Sequence, residues 1–137
     1  MMKKMMMLRT HSRLLLSAGL LAAACAAQAQ APLPAMHAEG AVRWACGGIG
    51  SDESTAMRAA MASHPLSLLF ARTDGAYLAS VDVQIEGAAP ARLRAGGPVC
   101  LIDLPDGKYT VQATSGGVTK SQAVTVGGGA RTLDFRF

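Results

Sequence analysis

Aromatic side chains are scarce in this chain of 137 residues: one Trp, two Tyr and three Phe, 4% of the total. So few aromatics cannot furnish the girdles of a membrane-spanning β-barrel, whose strands also need ~9–11 residues with lipid-facing apolar bands. The C-terminal Phe137 is therefore expected to be the last inward residue of a core strand. Charged residues are also few, at 16%, and 13 Lys and Arg against 9 Asp and Glu leave a formal charge of +4. That whole excess sits in Lys3, Lys4, Arg9 and Arg13. A chain starting after them is formally neutral and lacks the basic footprint that nucleic-acid binding requires. The apolar run at residues 14–27 falls short of the ~20 residues of a membrane-spanning helix, and no later segment approaches that length. Three His and three Cys are too dispersed for metal-ligand spacing; the nearest approach is His37-x-Glu39.

What is present begins with a targeting pattern. Basic residues, the apolar run and the small-x-small site Ala27-Gln28-Ala29 make residues 1–29 a secretory signal peptide, cleaved after Ala29. The mature chain is then expected in the periplasm or outside the cell. Cys25 raises a second route, cleavage before it and lipid attachment to its sulfur. Such signals place a large aliphatic residue three positions earlier, where this chain has Ala22.

Cleavage after Ala29 leaves Cys46 and Cys100 in an oxidising compartment, where one intramolecular disulfide is available. The alternative is two buried thiols acting as small hydrophobes.

Residues 30–41, rich in Ala and Pro without periodicity, read as a flexible leader, and the domain as residues 42–137. Residues 42–45 alternate as a short strand. After the glycines of residues 47–50, Ser51 or Asp52 is placed to cap a helix whose first turn carries the acidic Asp52 and Glu53. Met57, Ala60 and Met61 form its apolar face, and Pro65 ends it. Beyond Pro65 the pattern is β throughout: an apolar stretch at 66–70, a turn at Asp74-Gly75, and clean alternation in Val81-Asp82-Val83-Gln84-Ile85-Glu86. Further strands are predicted at 91–95, 98–104, 108–114, 118–126 and 131–137, divided by glycine-rich turns. The fold class is mainly β: an antiparallel sandwich with about seven strands after one N-terminal strand, and one short N-terminal helix.

The segment Leu104-Pro105-Asp106-Gly107-Lys108-Tyr109-Thr110-Val111 resembles the LPxGxYxV signature of carboxypeptidase regulatory-like domains. Pro105 and Gly107 shape a turn after which Tyr109 and Val111 point to one side of a strand. Asp106 stands where many members carry a second proline. The resemblance extends over residues 66–137 and implies a transthyretin-like (prealbumin-like) sandwich. The front of the domain, with Trp44, the 47–50 loop and Asp52-Glu53, looks like small exported bacterial proteins of unknown function built on that sandwich. In large peptidases the related domain is an accessory beside a zinc-bearing catalytic domain, and nothing here looks like that catalytic part.

No catalytic, cofactor-binding or metal residues are assigned from the sequence. The 47–50 loop lacks the lysine of a phosphate-binding loop, and Asp52 and Glu53 would repel an anion there. His64, at the end of the helix, reads as a cap on terminal carbonyls. A hydrolase would require it near a carboxylate and an activated hydroxyl. Trp44 and Tyr77 are candidates for stacking a sugar ring, whereas Tyr109 belongs to the core motif. The expected function is a non-catalytic exported structural or protein-interaction module, with a periplasmic or envelope protein as partner; the alternative is a carbohydrate-binding module. Binding is expected through loops or an exposed strand edge.

Overall fold

The computed structural model describes residues 32–137. The expected signal peptide, its expected cleavage site and Cys25 lie outside the described residues. Nine strands form two sheets, with one helix laid on the first: β1 His37–Glu39, β2 Val42–Gly47, α1 Ser51–Ala60, β3 Leu66–Ala71, β4 Val81–Gly87, β5 Ala91–Ala95, β6 Val99–Asp103, β7 Gly107–Ser115, β8 Val118–Val126 and β9 Arg131–Arg136. The first sheet has the order β1-β2-β6-β3-β9 and the second β5-β4-β7-β8. The chain is thus a mainly β sandwich, as its alternation predicts.

Each strand shows the burial its position demands. In β4, Val81, Val83 and Ile85 are buried while Asp82 and Glu86 face water, because one face of the second sheet is solvated. In β3 and β6 almost every residue is buried, because α1 covers the far side of the first sheet. Leu66, Leu68 and Phe70 of β3 turn to the inter-sheet core, and Leu69 turns to the helix. Met57 of α1 packs on Val99 and Leu101 of β6, with Ala60 and Met61 beside it, so the predicted apolar stripe is the one that docks. Between the sheets, Phe70 and Phe135 stack with ring centroids 5.8 Å apart. Each such fully buried large side chain contributes ~1.5–3 kcal/mol relative to exposure.

The turn motif carries the chain from one sheet to the other. Leu104 is buried beyond the end of β6 in the first sheet, and Gly107 opens β7 in the second. Buried Tyr109 donates its hydroxyl to the Pro105 carbonyl across 2.6 Å, which ties the crossing shut. Burial, then the nearby Asp106 charge, pushes the Tyr109 phenol above its usual value of 10.0.

Several expectations need correction. The sandwich is not wholly antiparallel: β3 and β9 run parallel, Leu66 opposite Arg131 through Ala71 opposite Arg136. The chain reaches β9 from the second sheet, over the glycines at 127–129, so no hairpin fixes its direction. The strands number nine because residues expected in the flexible leader add β1, whose His37 to Glu39 pair with Trp44 to Val42 across a tight turn at Gly40. A three-residue strand has too short a pattern to show alternation. Gly50 caps α1 without any side-chain cap bond, so neither Ser51 nor Asp52 does so. Instead, the Glu53 carboxylate accepts the Gly48 N–H at 2.7 Å. α1 closes in a 3-10 turn, Met61–Ser63, and His64 is already extended, as Pro65 requires of the residue before it.

Candidate functional site

Cys46 of β2 and Cys100 of β6 lie directly opposite one another, their Cα atoms 4.1 Å apart, and form a disulfide. Cys100 is fully buried in the inter-sheet core and Cys46 packs at its margin. The bond joins neighbouring strands of the sheet that carries α1. No helix among the described residues is long and apolar enough to cross a membrane.

The disulfide-bonded strands support a loop at residues 48–50, and this loop, α1 and the segment leading into β4 enclose a groove. Its volume is about 700 Å³, and its walls include Ile49, Ser54, Arg58, Tyr77, Leu78 and Pro98. The wall from 77 to 79 is held by backbone contacts: Leu78 N–H meets the Phe70 carbonyl at 3.5 Å, and Ser80 N–H meets that of Ala95 at 2.7 Å. Ser80 takes a left-handed φ of 62°, uncommon for a residue with a side chain, to turn this wall into β4. Behind the loop, Gly47 lies close to α1: a Cβ there would meet the Glu53 carboxylate and the Met57 sulfur, and the Glu53 side chain would have to swing aside.

Two large apolar side chains stand out into solvent at this groove, Ile49 at 65% and Tyr77 at 61% exposure. The Arg58 guanidinium lies over the Tyr77 ring, 5.6 Å from its centroid, and its Nε donates to Ser54 Oγ at 3.4 Å. Trp44, the other candidate for sugar stacking, is half-buried against the core, its ring centroid 5.8 Å from that of His37. Tyr77 therefore has the exposure that glycan binding asks for, and Trp44 lies apart from it on β2 with different neighbours.

His64 does not cap the helix with its ring. Its Nδ1 lies 2.6 Å from Asp103 Oδ1 at the end of β6, with the two side chains 17% and 39% exposed. The pair is separated by 39 residues in sequence, so only the docking of α1 onto β6 brings it together. A shallow cavity of about 270 Å³ beside it is lined by Ser63, Asp106 and the 127–129 glycines. The carboxylate orients the imidazole, but among the described residues no hydroxyl or thiol hydrogen-bonds to the ring. The pair is a carboxylate and an imidazole, and Ser63 lines the same cavity without a hydrogen bond to the ring.

Glu39, one half of the His37-x-Glu39 spacing, accepts the Arg92 backbone N–H at 3.0 Å. Among the described residues no group of three or more His, Cys, Asp or Glu is placed to hold a metal ion. No family model matches the chain, and no curated protein matches it significantly.

Proposed function

We propose that the chain is a non-catalytic interaction module, exported to the periplasm or beyond, that seats a partner protein in the groove between α1 and residues 77–79. The observation that carries this reading is the exposure of Ile49 and Tyr77 on one groove. Single exposed hydrophobics are ordinary on a protein surface. Two that converge on a cavity are what a docking site presents.

Strand addition is hindered at three of the four sheet edges, and the fourth, β1, offers three residues. The β5 edge has its Arg92 N–H occupied by Glu39. The β8 and β9 edges are drawn together where Gln122 Nε2 donates to the Asp134 carbonyl at 2.7 Å. Occupied edges of this kind discourage pairing with another chain. The groove is an open surface on which two apolar anchors converge.

Export is supported by the basic-apolar-small pattern of residues 1–29 and by the Cys46–Cys100 bond. Similarity to carboxypeptidase regulatory-like domains is supported by the LPxGxYxV turn, whose Tyr109 and Val111 are both buried. That likeness makes the module an accessory to other proteins.

Capture from the native envelope tests the proposal. A partner retained by the unaltered chain is expected to fall about tenfold or more in recovery with Tyr77→Ala or Ile49→Ser, the loss typical of an interface anchor. Gln112→Ala, on the solvated face of the second sheet, should leave recovery unchanged. Equal recovery by all of these variants would overturn the groove as the site.

A second reading, carbohydrate binding, draws on exposed Tyr77 beside the hydroxyls of Ser54 and Thr55. Saturable quenching or enhancement of tyrosine fluorescence by neutral oligosaccharides, abolished by Tyr77→Ala, would favour it over a protein partner.

A further inference from the structure

Arg58 is the cation of the groove, and no acidic side chain lines the walls around it. Arg72, Arg94 and Arg136 each pair with an aspartate. Among the described residues, no carboxylate lies within ion-pair distance of Arg58. The nearest acids on its helix are Asp52 and Glu53, and the Glu53 carboxylate is turned onto the Gly48 N–H.

The contacts Arg58 does make leave part of it unused. Ser54 engages Nε, and the guanidinium carbon lies over the Tyr77 ring. Neither contact uses the two terminal amino groups, which have no hydrogen-bond partner among the described residues. A guanidinium offers parallel N–H donors in a fork that matches the two oxygens of a carboxylate. The Tyr77 ring and Ser54 together restrict where that fork can go, so less side-chain freedom is lost when an anion arrives. Aliphatic surface from Ile49, Leu78 and Pro98 completes the groove.

We propose that the groove binds a segment of a partner protein that presents a carboxylate beside an aliphatic side chain. Arg58 grips the carboxylate, Tyr77 positions Arg58, and Ile49, Leu78 and Pro98 receive the aliphatic group. The inference rests on the protein-interaction reading and supplies its chemistry. A peptide fits better than an acidic sugar, because Arg58 already occupies a face of the Tyr77 ring on which a pyranose would stack, and Ile49, Leu78 and Pro98 add aliphatic surface that a sugar would not use.

The test is a titration of the ¹⁵N-labelled full chain, followed by NMR, with three probes: N-acetyl-leucine, N-acetyl-leucinamide and methyl glucuronide. N-acetyl-leucine is expected to move the amides of residues 48–51 and 77–79 and the Arg58 Nε–H signal. The amide, which keeps the aliphatic group and loses the charge, should bind about fivefold or more weakly, as a charge-assisted contact requires. Arg58→Gln should equalise the two, while the spectrum away from the groove stays that of the unaltered chain. Equal binding of the acid and the amide would overturn carboxylate recognition. Binding of the glucuronide alone would replace the peptide by an acidic glycan, and no movement with any probe would also overturn the proposal. None of these results bears on capture by the Tyr77 and Ile49 variants, so failure here and failure of the groove as a docking site are read separately.

Discussion

Ser67 sits fully buried in β3, and its hydroxyl has no hydrogen-bond partner among the described residues. A buried polar group left unsatisfied costs ~1–3 kcal/mol. Ser67→Ala removes that group with little change in volume and should raise unfolding stability by about 1 kcal/mol in a denaturant titration. Tyr109 offers a pH-dependent counterpart. Its folded-state pKa lies above 10.0, so the fold favours the neutral phenol. The stability linked to this preference is intact below the unfolded value near 10 and is lost as pH climbs through the folded one. Denaturation followed between pH 8 and 12 should show this decline, and Tyr109→Phe should flatten it while losing ~0.5–1.5 kcal/mol at neutral pH with the bond to Pro105. At this scale the sequence exposes Tyr109 and Cys46 through motif and compartment. It hides the His64–Asp103 pair, because nothing local relates a helix terminus to a strand end 39 residues away.

Elements were legible where one face meets water. β4 and β5 alternate because the second sheet is solvated on one side, and α1 shows its stripe because only one face docks. Direction was not legible, since inward and outward residues alternate identically in parallel and antiparallel strands; β9 beside β3 is the instance. β1 was missed for a related reason. Its three residues are all exposed, and its place comes from the hairpin with β2 and from Glu39 reaching the β5 edge. Glu39→Ala should free the Arg92 amide, and hydrogen exchange at that amide should quicken several-fold, on the order of one exposed hydrogen bond. The same change should leave exchange in β6 and β7 unaltered.

At the scale of the molecule, two sheets, a helix and a cross-strand disulfide fix the loop and the wall that make the groove. The disulfide closes a span of 54 residues, for which chain entropy predicts about 4 kcal/mol. A Cys46→Ala, Cys100→Ala double variant should lose stability of that order in urea. Thiol titration of the unfolded, unreduced exported chain, cleaved after Ala29, should find none, and two thiols would contradict the bond. The groove itself was not legible in the sequence: Ile49, Arg58 and Tyr77 come from a loop, a helix and a strand connection, and no spacing relates them. Its role is tested most directly by placing a photo-crosslinking residue at position 49 or 77, and for comparison at 112 or 121, in chains expressed in their native envelope. The account predicts a discrete protein adduct from 49 and 77 and none from 112 and 121; adducts confined to 112 and 121 would contradict it.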